Sequence, residues 1–253
     1  MRITVLGKSP AWPDAGGACS GYLVQDGDTC LLVDCGSGVF SKLRATVDYA
    51  DVDAVVISHL HADHLMDLIP FGTALTFSPR ASGETGRPRL IVPPGAGEVL
   101  GAITLAISQP GVLEGAFAMT EYDPADTVSV GPLNIRFQPV PHYVPANAVE
   151  LCGTSGGRFT FGADHGPTDA LNDFARATDL LFLEATLRQP ESDGARGHMT
   201  AGEAGVVAAG CDAQRLVLTH ISDELDPDWA IAEAQRAYDG PVEVAREGAV
   251  YDV

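Results

Sequence analysis

Residues 59 to 64 read His-Leu-His-Ala-Asp-His, which places three imidazoles and one carboxylate within six positions. Imidazole nitrogen and carboxylate oxygen together suit zinc, iron or manganese. The run directly follows the apolar segment 54–58. A strand end that passes into a loop is where backbone geometry turns several side chains to one point. A polar loop that merely holds histidines is the competing reading. Four fixed residue types at fixed spacing arise by chance on the order of once in thousands of such chains, which favours the metal. His142, His165, His198 and His220 stand singly, and a single buried histidine on its own reads as a satisfied core residue.

The elements that must carry these residues follow from periodicity and punctuation. Strand patterns run over 2–6, 21–25 and 30–34, with a helix expected at 37–47. The segment 54–58 is a short strand of the fully buried kind, and 65–77 reads as helix. Residues 78–87 (SPRASGETGR) form the most loop-like stretch, and 90–92 and 95–107 follow as strand and helix. Strands are expected at 117–122, 127–130 and 133–140, with a hairpin of 150–152 and 158–162 around Thr154-Ser-Gly-Gly157. The last third alternates apolar strands (180–183, 216–219) with helices. One helix opens on the capping box Thr200-Ala-Gly-Glu203 and the other on Asp226-Pro227. Strands 242–245 and 249–251 close the chain. Strand-rich halves with helices outside them predict one α/β domain over 1–253, a four-layer αββα sandwich.

Composition narrows the function classes. Hydrophobic residues are 45% and charged residues 19%, an ordinary globular mix that excludes disorder as the main state. No apolar run spans a bilayer, and the start MRITVLGKSP lacks the apolar region of a secretion signal. A cytoplasmic protein with no membrane partner is therefore expected. Asp plus Glu total 34 against 15 Lys plus Arg, a net charge of −19. Such a chain repels a nucleic-acid backbone unless its cations cluster. The densest group, Arg80, Arg87 and Arg89, could cover a base or phosphate but reads more simply as a solvated loop. Cys19, Cys30, Cys35, Cys152 and Cys211 form no C-x-x-C pair. They read as buried apolar residues in a reducing compartment.

The His59-Leu-His-Ala-Asp-His64 run resembles the H-x-H-x-D-H signature of the metallo-β-lactamase superfamily. Pro141-His142-Tyr143, Phe161-Gly162-Ala163-Asp164 and Leu218-Thr219-His220 match the later motifs in order, so the resemblance spans essentially the whole chain. It implies that His59, His61 and His142 hold one divalent ion, that Asp63, His64 and His220 hold a second, and that Asp164 bridges them. Zinc is the first expectation, with manganese or iron as alternatives. Asp34 would orient the ligand loop, and His165 has no role in the pattern. β-Lactamases of this fold often carry a cysteine near the bridge. None of the five lies there, and two ions sharing a carboxylate suit hydrolysis by a bridging hydroxide. Leu183-Glu184-Ala185-Thr186 and Gly197-His198-Met199-Thr200 are similar to elements of ribonuclease Z-like phosphodiesterases. This likeness implies a catalytic set of His198 as general acid, Glu184 as its carboxylate partner, and Asp63.

The likeness to ribonuclease Z has a gap. That family carries a long basic arm for transfer RNA between the motifs of His142 and Asp164. Here the interval is short and contains Arg158 and no Lys. With the acidic balance, this points to a small phosphodiester such as a cyclic nucleotide and away from nucleic acid. The chain is then similar to small bacterial ribonuclease Z-like hydrolases that include atypical cyclic-nucleotide phosphodiesterases, in which homodimers are common. A thioester or lactone hydrolase of the same fold, a transfer-RNA 3′ endonuclease, and a non-catalytic scaffold are the other readings. A complete ligand set argues against the last.

Overall fold

The computed structural model describes residues 1–79, 86–192 and 194–253. Two seven-stranded sheets lie face to face, and their layout repeats. The first has the order β14-β1-β2-β3-β4-β5-β6, built from β1 (Arg2–Gly7), β2 (Gly21–Asp26), β3 (Thr29–Val33), β4 (Ala54–Val56), β5 (Arg89–Val92), β6 (Ala118–Glu121) and β14 (Val250–Asp252). The second has the order β13-β12-β11-β10-β9-β8-β7. Its strands are β7 (Val128–Val130), β8 (Leu133–Val140), β9 (Ala146–Cys152), β10 (Arg158–Phe161), β11 (Leu180–Glu184), β12 (Leu216–Thr219) and β13 (Val242–Val244). Each sheet is antiparallel at one end and parallel at the other, with β3-β4-β5-β6 and β10-β11-β12-β13 as the parallel runs.

Side-chain alternation along the buried strands builds the layers. In β3, Leu31 and Val33 face the second sheet while Leu32 faces helices. In β11, Phe182 enters the space between the sheets while Leu181 and Leu183 face the opposite way. The outer face of the first sheet is covered by α1 (Val39–Thr46), α3 (Leu68–Phe77), α4 (Ala96–Ala106) and α5 (Val112–Ala116). The outer face of the second is covered by α6 (Ala170–Phe174), α7 (Ala201–Gly210) and α8 (Pro227–Ala234). The result is the expected four-layer αββα sandwich. Two of the helix starts are also as expected: Thr200 and Glu203 form the full capping box, and Asp226 caps α8 ahead of Pro227. The expected helix over 65–77 is α3, which starts at Leu68 and is preceded by the short α2 (Ala62–Leu65), and α5 and α6 are helices over stretches that carry no periodic pattern.

One buried ion network spans three strands. Glu150 in β9 is fully buried and accepts from Arg136 of β8 (Nε at 3.0 Å) and Arg158 of β10 (Nε at 3.1 Å), with a second guanidinium nitrogen of each also on its carboxylate. Removing one partner of such a group leaves the others uncompensated. Both arginines are partly exposed and can rehydrate, which limits the loss. Glu150→Ala is therefore expected to cost about 1–3 kcal/mol, measured by denaturant unfolding. An unchanged unfolding midpoint would mean that the network is neutral.

Candidate metal centre

The parallel strands of both sheets deliver their carboxyl ends to one crevice, the place where open α/β sheets bind ligands. Asp34 follows β3 and the 59–64 run follows β4, while Asp164 follows β10, Glu184 ends β11 and His220 follows β12. Asp34, Ala163 and His220 have φ of 58°, 56° and 47°. Non-glycine residues are rarely held in this region, and such strain clusters at functional sites. The turn at Gly36 lies so close to the ligand loop that a Cβ there would meet the Asp63 carbonyl oxygen at 1.8 Å. The Cys35 N–H donates to the His64 carbonyl at 2.7 Å.

The structure brings the nine residues singled out above into one neighbourhood. Ligand atoms of His59, His61, His142 and Asp164 lie within 4.8 Å of one another, and so do those of Asp63, His64, Asp164 and His220. Asp164 belongs to both groups. A third group of the same span is Glu184, His198 and His220. His59, Asp63, His64, Asp164, Glu184 and His220 are buried, whereas His61, His142 and His198 are half-buried.

Hydrogen bonds behind the rings decide which nitrogen each ring presents. Ser58 Oγ gives its one hydrogen to Asp34 Oδ2 at 2.8 Å, so it accepts from His59 Nδ1 at 3.1 Å. His64 Nδ1 donates to the same Asp34 oxygen at 2.7 Å, and His142 Nδ1 donates to the Gly197 carbonyl at 2.6 Å. Thr186 Oγ1 gives its hydrogen to Glu184 Oε2 at 2.6 Å and so accepts from His220 Nδ1 at 2.7 Å. His59 and His142 therefore turn a bare Nε2 inward, and the Nε2 atoms of His64 and His220 face the carboxylates of Asp63 and Asp164. His142 Nε2 is 3.0 Å and His59 Nε2 is 3.2 Å from His61 Nδ1. His220 Nε2 is 3.0 Å from Asp63 Oδ2 and 3.2 Å from Asp164 Oδ2.

Nitrogen and carboxylate oxygen atoms that converge this closely suit a shared cation, and rings oriented through Nδ1 are how proteins prepare histidine for metal. Buried His64 Nε2 and Asp164 Oδ1 also lack any hydrogen-bond partner among the described residues. The donor set of nitrogen and oxygen without sulfur fits zinc and the other divalent transition ions. Burial holds His59, His61 and His142 below the ordinary imidazole range, in the neutral form that ligates, whereas at His64 the Asp164 and Asp34 carboxylates outweigh burial and hold the ring well above that range. Burial pushes Asp164 and Asp63 upward, but the neighbouring histidines overcome it and keep both carboxyls well below the usual carboxylate range.

Glu184 is the hub beside this cluster. Its carboxylate accepts from His198 Nδ1 at 3.1 Å, from the His165 N–H at 2.6 Å, from the Met199 N–H at 3.2 Å, and from Thr186. Burial lowers the proton affinity of His198, and the Glu184 contact more than restores it, so His198 sits above the ordinary imidazole range. With Nδ1 committed to Glu184, Nε2 is the nitrogen available to a bound molecule. His165 follows Asp164 in sequence and has its Nδ1 on the Gly166 carbonyl at 2.8 Å.

Of the two readings of Arg87 and Arg89, coverage of a base or phosphate at the site is the one that their position does not allow. Arg89 begins β5 in register with Ala54 at the start of β4, the far end of the sheet from His59. These arginines bond the carbonyls of Glu114 and Ser129. Arg80 lies outside the described residues. Thr186 and Ser58, which set the His220 and His59 tautomers, were not singled out. Thr186 stood in the Glu-Ala-Thr motif without a role, and its place two residues after Glu184, on the same side of the strand end, was the available signal.

Comparison with known proteins bears on this geometry. The model of the beta-lactamase superfamily domain matches residues 29–221. The chain is 32% identical to the probable metallo-hydrolase YhfI of Bacillus subtilis over 257 residues, covering all of both chains. The crystal structure of YhfI superposes with a TM-score of 0.88, covering 99% of this chain and 98% of the other. Ribonuclease Z of Myxococcus xanthus is 31% identical over 98% of this chain and 96% of its own. A diphosphatase of the PhnP family shares the fold, with a TM-score of 0.77 at 22% identity, over 100% of this chain and 97% of that one. No helix among the described residues is long and apolar enough to cross a membrane.

Proposed function

We propose that this chain, which belongs to the metallo-β-lactamase superfamily and is a metal-dependent hydrolase, cleaves a small phosphodiester such as a cyclic nucleotide, with two divalent ions, zinc foremost, as cofactors. His59, His61 and His142 would hold one ion, Asp63, His64 and His220 the other, and Asp164 both. Ions bound there would polarise a phosphoryl oxygen and make a nucleophile available at neutral pH.

The observation that carries the phosphodiester reading is the His198–Glu184 pair beside the two clusters. An alkoxide is a poor leaving group and needs a proton as the P–O bond breaks. His198, its proton affinity raised by Glu184, holds one at Nε2. Glu184 fixes the ring through Nδ1 and stabilises its charged form. A thiolate leaves without such help, so the pair favours phosphodiesters over thioesters.

A substrate panel tests the reading: cyclic nucleotides, bis(p-nitrophenyl) phosphate, a thioester and precursor tRNA, each with zinc- and manganese-loaded protein. Turnover of the thioester without any diester would refute it.

The ribonuclease Z relative supports a second reading, a transfer-RNA 3′ endonuclease. Against it, the β9–β10 hairpin is short, and Arg136 and Arg158 beside it are bound to Glu150. Precursor tRNA is therefore expected to bind weakly and be cleaved poorly at physiological salt. Efficient 3′ processing under those conditions would replace the small-substrate reading with this one.

A further inference from the structure

Tyr143, next in sequence to His142, is 52% exposed. Its ring centre lies 5.1 Å from that of His142 and 5.6 Å from that of His198. The ring is fixed at two points. Its hydroxyl donates to Glu191 Oε1, and the other oxygen of that carboxylate accepts from the Gly197 N–H at 2.9 Å and the His198 N–H at 3.4 Å. The ring also packs on the backbone at Gly197, where a Cβ would fall 2.5 Å from two ring carbons. Position 197 has to be glycine for the ring to lie there. One side of the ring is thus covered by the loop that carries His198, and the rest is open at the mouth of the site.

We propose that Tyr143 is a specificity-determining residue, a rigid aromatic plate on which a planar heterocycle on the leaving-group side of the substrate stacks. This rests on the phosphodiester reading and deepens it, because the plate adjoins His198, the group that would protonate the leaving oxygen. The bound molecule must then carry its planar part on the same side as that oxygen, as a nucleotide base does. Stacking a base on an aromatic side chain is sequence-tolerant and typically changes affinity on the order of tenfold or more. A plate already held by Glu191 and Gly197 loses little freedom when it is used.

The test compares two diesters that differ only in the base: a purine cyclic nucleotide and the corresponding cyclic phosphate of methyl riboside. Wild type, Tyr143→Leu and Tyr143→Phe are loaded with zinc and assayed on both. Tyr143→Leu is expected to raise KM for the nucleotide on the order of tenfold and to leave KM for the base-free diester within about twofold. Tyr143→Phe keeps the ring and is expected to retain the preference for the nucleotide, with metal content equal in all three proteins. Equal losses on both diesters, or an unchanged KM for the nucleotide in Tyr143→Leu, would make Tyr143 a structural support of the 197–198 loop and overturn the proposal. Wild-type protein that turns over neither diester would instead defeat the phosphodiester reading, and Tyr143's role in it as well.

Discussion

His198→Ala is expected to lower kcat on a ribose-type diester by roughly 10²–10⁴-fold, the usual worth of a general acid, while metal content stays at the wild-type level. The ring contributes to the hydrogen-bond pattern through Nδ1 on Glu184 and is not part of either group that contains Asp164. Its loss therefore leaves both sets of ligand atoms in place. The leaving group provides the sharper measurement. A p-nitrophenyl diester departs as a stable phenolate and needs little protonation. Its turnover in His198→Ala is expected to fall far less than that of a diester with a ribose oxygen as leaving group. Equal losses on the two substrates, or loss of metal, would mean that His198 is structural or a ligand. The proton donor assigned here would then be absent.

Asp164→Ala is expected to abolish activity, release at least one of two ions per chain and lower thermal stability. Asp164 Oδ2 is 3.8 Å from His59 Nε2, 3.3 Å from His64 Nε2 and 3.2 Å from His220 Nε2, so one carboxylate faces both ligand groups. Ions bound only by the folded chain stabilise it by mass action, about 4 kcal/mol at a thousandfold excess over the dissociation constant. In a chain of this size that corresponds to a shift on the order of 10 °C in Tm. Chelation of the wild-type protein should produce a similar shift, and adding chelator to Asp164→Ala should then produce a smaller one. His61→Ala, which removes a ligand from one group only, should lose metal and activity as well. Metal analysis that finds the same stoichiometry in Asp164→Ala and wild type would refute the bridging role.

The cluster was legible because residues 59–64 concentrate their donors at one strand end, where local spacing and spatial proximity coincide. His142, Asp164 and His220 are not close to that run in sequence. Only the order of motifs linked them to it, and the structure shows why they meet: Asp164 and His220 lie past the carboxyl ends of the parallel strands β10 and β12, and His142 lies past that of β8, which runs in the same direction as β10 because each is antiparallel to β9. The layers were legible from apolar strands such as β11 alternating with helices, since neighbours such as Phe182 and Leu183 face opposite cores and both faces of the strand are covered. Short elements were not. α5 and α6 are five residues each, too brief to show a helical period. The placement of Arg87 and Arg89 was beyond reach for a different reason. A loop rich in Pro, Ser and Gly does not reveal whether it lies at the near or the far end of the strand that follows it. Tyr143 and Glu191 were missed because their relation is made by a fold-back over Gly197, and no spacing records it.

The division of the donors between the two halves of the chain has a consequence for synthesis. His59, His61, Asp63 and His64 leave the ribosome well before Asp164 and His220. At roughly 5–20 residues per second the interval is on the order of ten seconds. During it the nascent chain carries an open chelating peptide with no cage around it. If these residues hold metal as proposed, intrinsic affinity, which favours copper over zinc at nitrogen sites, would govern what such a peptide binds until the donors of the second sheet join it. Correct metallation would thus depend on the free metal pool at the ribosome as well as on the finished site. Protein made in copper-rich medium is the place where mismetallated, inactive molecules should accumulate.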